Sequence, residues 1–281
     1  RLYGAANNKV KKHLDRVKYR TYERKKYAGV ICSSIFDSYT VATIFYPIKY
    51  ENVWMTGLPR NDFLIQPANE LPTFLQSQIE KIKKIKAGKK LILYAPTYRQ
   101  TYAVKDANYY QFTKDEINSL KKLLGKHNAI LGFRMHYFRN DDNLFNMELF
   151  VDNELIFDLG HSVAPDIAPV IRESDIVISD YSSVFIEALY LNKPVFGFNY
   201  DFDHYKNSQE GFLYDYDLVF PGTTSGNFQE LMQQLDEELT NPKQVFNEKY
   251  QYSKKFFYEY NDSENSKRVV EKVLKKIGSP L

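Results

Sequence analysis

The sequence predicts an α/β fold built on a parallel, doubly wound sheet, and three observations predict it. From Lys90 onward, short apolar runs alternate with stretches of helical spacing, the rhythm of successive βαβ units. The apolar runs at 91–95, 129–135 and 175–179 read as buried strands. Polar residues follow three of them, at the strand ends where open α/β sheets bind ligands.

The elements come in order. Residues 7–27 alternate basic and aromatic positions and read as a helix. A strand at 27–33, a helix at 34–45 and a strand at 53–56 come next, the last ending in Gly57-Leu-Pro. Leu71, Phe74, Leu75, Ile79, Ile82 and Ile85 fall at helical spacing and predict a long surface helix over 70–86. Ala87-Gly88 ends it. After the strand at 91–95, closed by Pro96, Thr113-Lys-Asp-Glu116 has the capping-box pattern and starts a helix to about 126. Strands at 129–135 and 155–159, a helix at 166–173, a strand at 175–179, a helix at 182–191 and a strand at 194–198 complete the alternation. The chain then reads as helices at 228–240, 243–258 and 263–277. The boundary between two domains falls near 65–88, leaving a partial first domain (1–70) and a complete second one (71–281). Arg1 begins in mid-pattern without an initiator Met, as a fragment of a longer protein would.

At 281 residues the chain is long enough for a sizeable core. Its formal charge of +3 is small for this size and gives no reason to expect a nucleic-acid partner. The charge is uneven. Residues 9–26 hold Lys9, Lys11, Lys12, Arg16, Lys18, Arg20, Arg24, Lys25 and Lys26 against Asp15 and Glu23, and 81–90 form a second basic run. Two readings fit these runs: solvated helix faces, or contact with anionic lipid or polyphosphate, where each clustered cation contributes about 1 kcal/mol. Tyr and Phe, at 23 and 20 residues, are numerous enough to fill much of the core. The single cysteine, Cys32, excludes an internal disulfide and a Cys-rich zinc site, and its apolar setting reads as a small buried hydrophobe. No apolar run is long enough for a membrane helix.

The segment 174–194 carries the clearest chemistry. A buried strand runs into the polar turn Asp180-Tyr-Ser-Ser183 and then a helix start, with Ser182 and Ser183 as natural N-cap residues. A helix N-terminus presents unpaired N–H groups that suit phosphate, and hydroxyls at its mouth add donors. Asp180 suits either a ribose hydroxyl or the turn backbone. Thr97 and Arg99 follow one strand, and Arg99 offers a permanently charged fork for phosphate oxygens. His136 comes off another strand, either as a structural residue or as a donor to phosphate that stabilises a leaving group. Three strand ends thus point to one crevice. Arg60, Asn61 and Asp62 lie in a turn at the domain junction, Arg60 as a hinge ion pair or a site contact and Asn61 or Asp62 as a cap for the next segment of chain. Asp201, Asp203 and His204 lack a fourth ligand, and no metal is expected. His13, His127 and His161 are assigned no role.

Gly57-Leu-Pro-Arg-Asn-Asp62, Leu93-Tyr-Ala-Pro-Thr-Tyr-Arg99, Arg134-Met-His136, Pro165-Asp-Ile167, the 174–194 segment, and Gly211-Phe-Leu-Tyr-Asp-Tyr216 with Pro221-Gly222 occur in one order. In that series the chain resembles the CDP-glycerol glycerophosphotransferase family, the teichoic acid primases and polymerases and related capsule polymerases. The likeness runs from about Gly57 to Gly222.

The resemblance implies a GT-B-like architecture of two Rossmann domains, the first incomplete here and on the acceptor side, with the last helix packing back against it. It implies transfer of glycerol phosphate, or a similar polyol phosphate, from a CDP donor to a hydroxyl of a lipid-linked or polymeric acceptor. CMP leaves, and no cofactor is needed beyond the donor. With no signal peptide and no long apolar span in the sequence, the expected setting is cytoplasmic, with attachment at the inner membrane face as an option. His136 is then implicated in catalysis, and Thr97, Arg99, Asp180, Ser182, Ser183 and Glu187 in donor binding. Several positions depart from the family pattern: Tyr137 stands where Pro is usual, Glu187 and Gln100 where Asp is, and Glu210 where Arg is. The family's His-Gly motif, whose His is the expected general base, has no match before Gly57. Two other readings remain open: a sugar-nucleotide glycosyltransferase of the same architecture, and a non-catalytic module whose basic helix grips an anionic polymer or membrane.

Overall fold

The structure, a computed structural model, describes residues 8–97, 109–135, 145–208 and 212–278, without the side chains of 8–13 and 208. In chain order the elements are α1 (Asn8–Arg24), β1 (Val30–Cys32), α2 (Ile35–Ile44), β2 (Val53–Met55), α3 (Asp62–Ile65), α4 (Thr73–Lys86) and β3 (Lys90–Tyr94). They continue with α5 (Lys114–Lys126), β4 (Ala129–Phe133), β5 (Ile156–Asp158), α6 (Ile167–Glu173), β6 (Ile176–Ser179), α7 (Val184–Tyr190) and β7 (Val195–Phe198). The remainder are α8 (Phe202–Ser208), α9 (Tyr216–Val219), β8 (Thr223–Ser225), α10 (Phe228–Thr240), α11 (Glu248–Phe257) and α12 (Asn265–Ile277). The chain divides into two compact units: 1–65 with 210–212 and 255–281, and 66–209 with 213–254.

In the first unit β1 and β2 pair in parallel, from Val30 opposite Val53 to Cys32 opposite Met55. Ser34 caps α2, its hydroxyl accepting from the Asp37 N–H at 3.1 Å, while the Asp37 carboxylate accepts from the Ser33 N–H at 2.8 Å. Cys32 is fully buried, and burial pushes its thiol up to about 12, so it acts as a small hydrophobe. The unit also takes in α12, far away in sequence. Asp62 caps that helix, accepting from the backbone N–H groups of Asn265 and Ser266 at 2.9 and 2.8 Å, so a carboxylate meets the positive helix end. Gly57 lies beneath it at φ +74°, and a Cβ there would stand 1.8 Å from Asn265 Oδ1. The positive φ favours glycine, and any side chain there would also press on that of Asn265.

The second unit holds one six-stranded sheet in the order β5-β4-β3-β6-β7-β8, with every pair parallel. Counted from β3 this is the 3-2-1-4-5-6 order of doubly wound dinucleotide folds, and the winding reverses between β3 and β6. Residues of β4, β6 and β7 are buried throughout, which is why these strands read as unbroken apolar runs. Alternate residues face opposite layers. Ile92, Tyr94, Leu131, Phe133, Ile178 and Phe198 join the core cluster formed with Leu120 and Leu124 of α5 and Leu231 and Leu235 of α10. Helices α6 and α7 pack against β3, β6 and β7, and α4 packs on α6. Aromatic rings fill the first layer, Tyr94 meeting Phe112 edge-on at 5.9 Å and Phe133 meeting Phe145 at 5.4 Å.

Elements absent from the sequence reading have physical reasons. β8 is Thr-Thr-Ser, with two of its three residues exposed, so no apolar run announces it. α8 is mostly polar and carries no apolar stripe. The expected cap of α5 is present in full: Thr113 Oγ1 accepts from the Glu116 N–H, and the Glu116 carboxylate accepts from the Thr113 N–H.

Candidate functional site

The reversal point between β3 and β6 is the crevice that a doubly wound sheet offers to a ligand at its carboxyl edge. Thr97 follows β3 and Asp180 follows β6, and the structure ties them together. Asp180 Oδ1 accepts from the Thr97 N–H at 2.7 Å, from the Thr97 hydroxyl at 2.5 Å and from the Tyr181 N–H at 2.6 Å. Asp180 is only 1% exposed. Of its two sequence readings, that oxygen serves the turn backbone. One buried carboxylate therefore locks two strand-end turns across the reversal point.

The turn then delivers Ser182 and Ser183 to α7. Ser183 occupies the N-cap position and is exposed, and its side chain makes no capping bond. Ser182 Oγ accepts from the Val184 N–H at a long 3.5 Å. The serines thus sit where a cap was expected, while the Ser183 hydroxyl is not engaged as one. Glu187 is half-buried in the first turn of α7. Arg99 and His136 lie outside the described residues.

The approach to His136 is described. Arg134, just past β4, donates to the carbonyls of Leu159, Ala164 and Pro165 at 2.9, 2.7 and 3.1 Å. Burial lowers its pKa, against the pull of Asp166 and Asp158. Asp166 is held in turn by Gln78, whose side chain donates to the carboxylate and accepts from the Asp166 N–H, both at 3.0 Å. The motifs Arg134-Met-His and Pro165-Asp-Ile are therefore bound to each other. Sequence reasoning gave Arg134 and Gln78 no role, since nothing local marks a pairing across 88 residues.

The β4, β3 and β6 strands, whose ends carry the predicted site residues, are adjacent in the sheet. Arg60, Asn61 and Asp62 belong to the other compact unit. Arg60 is exposed, Asp62 caps α12, and Asn61 is 1% exposed with no hydrogen-bond partner for its side chain among the described residues. The cap expected for the adjoining segment serves instead a helix 203 residues on. Asp201, considered as a metal ligand, accepts from the Tyr181 hydroxyl at 3.0 Å. Among the described residues no group of three His, Cys, Asp or Glu could hold a metal ion. Nor is any described helix long and apolar enough to cross a membrane.

Comparison with known proteins places this arrangement. The chain is 30% identical over 268 residues to the teichoic acid ribitol-phosphate polymerase TarK of Staphylococcus aureus, covering 94% of this chain and 47% of that protein. It is 32% identical over 222 residues to a teichoic acid poly(glycerol phosphate) polymerase of Bacillus spizizenii, covering 78% of this chain and 52% of that one. A structure of a variant of the wall teichoic acid polymerase TagF, soaked with CDPG, superposes with a TM-score of 0.72 at 25% identity, over 95% of this chain and 62% of TagF. The fold is thus α/β with parallel sheets, of the GT-B double-Rossmann kind. The chain spans about half the length of the curated relatives it matches. Residues 3–275 match the family described as CDP-glycerol:poly(glycerophosphate) glycerophosphotransferase, and the chain belongs to that family.

Proposed function

We propose that the second compact unit binds a CDP-activated polyol phosphate at the β3/β6 reversal point. The protein would move the polyol phosphate, glycerol phosphate or a close relative, to a hydroxyl of a lipid-linked or polymeric acceptor in teichoic acid or capsule synthesis. The observation that carries this reading is the Thr97–Asp180 lock, which presents Ser182 and Ser183 at the carboxyl edge of the sheet. Family membership supplies the donor class. The relatives include both ribitol-phosphate and glycerol-phosphate polymerases, so the polyol is left open.

In this proposal the acceptor oxygen attacks the phosphorus nearest the polyol, the bond to CMP breaks, and CMP leaves with the electron pair. Arg99, His136 and the hydroxyls of Ser182 and Ser183 spread the negative charge that develops on the leaving group. Asp180 and Thr97 hold the turn that leads into Ser182 and Ser183, and Glu187 lies in the first turn of α7. The acceptor proton passes to a general base, a contribution of about 10²–10⁴-fold. The resemblance assigns that base to a His-Gly motif that has no match before Gly57.

Calorimetric titration of the chain with CDP-glycerol, beside UDP-glucose, tests the donor class. CDP-glycerol binding without UDP-glucose binding is the expected result; a preference for the UDP-sugar would move the protein to the glycosyltransferases. The proposal also places the enzyme in the cytoplasm, at the inner membrane face, with basic α1 and the residues just after it meeting anionic lipid. Charge reversal at Lys11, Lys12, Lys25 and Lys26 should then weaken sedimentation with phosphatidylserine vesicles, and unchanged sedimentation would show that these lysines do not meet a membrane.

A further inference from the structure

We infer that Tyr216 is a positioning residue of the candidate donor site: its hydroxyl fixes the peptide plane that leads into Ser182 and Ser183. This rests on the proposed function for its donor, though not for its geometry. Tyr216 opens α9 in the Gly211–Tyr216 motif, to which the sequence assigned no role, and it is 6% exposed. Its hydroxyl donates to the main-chain carbonyl of Asp180 at 2.8 Å and lies 3.3 Å from Asn199 Oδ1 at the end of β7.

The other polar end of that same peptide group is the Tyr181 N–H, which donates to Asp180 Oδ1 at 2.6 Å. The 180–181 peptide is thus gripped at both its oxygen and its nitrogen. A peptide unit is rigid, but the two torsions flanking it are soft. With one end released, the plane can rotate between its neighbouring Cα atoms and shift the next residues, Ser182 and Ser183. Burial raises the Tyr216 pKa well above the ordinary tyrosine value, so the hydroxyl stays a donor at any working pH.

The ring is separately fixed. It stacks on Phe220 at 5.0 Å and lies 5.8 Å from both Tyr181 and Phe202. Phenylalanine at 216 keeps this packing and removes only the donor, leaving a buried carbonyl short of its partner. A purely packing role for Tyr216 therefore predicts little change in Tyr216→Phe at the turn. The positioning role predicts a local one.

The test uses the full chain carrying Tyr216→Phe and two readouts. In amide hydrogen exchange the Tyr181–Val184 amides should exchange about tenfold faster, with β4 and α10 unchanged. In calorimetry CDP-glycerol affinity should fall about tenfold. Combined with Ser182→Ala/Ser183→Ala, the variant should lose no more affinity than that double variant alone, because Tyr216 acts through the two serines. Unchanged exchange at the turn, wild-type affinity, or additive losses would each overturn the inference. If the wild-type chain fails to bind CDP-glycerol, the donor assignment falls, while the exchange comparison still decides whether Tyr216 sets the turn.

Discussion

Replacing Asp180 with alanine should destabilise the second unit by about 3–5 kcal/mol and abolish donor binding at the same stroke. The carboxylate oxygen Oδ1 serves three donors: the Thr97 N–H, the Thr97 hydroxyl and the Tyr181 N–H. Alanine leaves two backbone N–H groups without that partner at a site only 1% exposed, and each such loss costs about 1–3 kcal/mol. The Thr97 hydroxyl is half-buried and can turn toward water, so Thr97→Val should cost much less, about 1 kcal/mol. Asparagine at 180 retains an accepting oxygen and should recover most of the loss. Urea unfolding orders the three variants, and an Asp180→Ala protein as stable as the wild type would show that the lock does not hold the two turns.

Gly222→Ala should be comparably damaging, for a steric reason. A Cβ at this position would stand 1.7 Å from the Val195 carbonyl oxygen and 2.8 Å from its carbon. Those are main-chain atoms at the start of β7, whose N–H is itself held by Gln244 Oε1, so no flexible side chain can swing aside. Relief requires moving β7 or the start of β8, which pair through Phe196 and Thr223. Overpacking against backbone costs about 3 kcal/mol or more. Gly226, four residues on, has nothing within 4 Å of a built Cβ. Gly226→Ala is therefore the matched control and should unfold near the wild-type midpoint. A Gly222→Ala protein within about 1 kcal/mol of that control would show that the approach to Val195 is looser than described.

The parts of this molecule that were legible in its sequence are the local ones. The Thr113–Glu116 capping box is complete within four residues and appeared as expected. The buried strands announced themselves because β4, β6 and β7 bury both faces, and their ends located the carboxyl edge. Long-range pairings carried no such signal. Thr97 meets Asp180 across 83 residues, and Asp62 caps α12 across 203. From sequence, Asp180 read equally well as a ribose contact or a turn residue, since the choice depends on which strand lies beside β6. Tyr216 was visible within a motif, but its role requires knowing that α9 lies against the end of β6. Such contacts depend on which distant elements come together, which no local pattern encodes.

If the donor binds at the turn after β6, calorimetric titration of CDP-glycerol will distinguish the wild-type chain from Ser182→Ala/Ser183→Ala. Both side chains are at least partly exposed, and neither makes a capping bond of normal length, so the double variant should melt as the wild type does. Its affinity should nevertheless fall about tenfold or more, the loss of two hydroxyl donors to phosphate. A double variant that binds CDP-glycerol as tightly as the wild type would contradict the placement of the site.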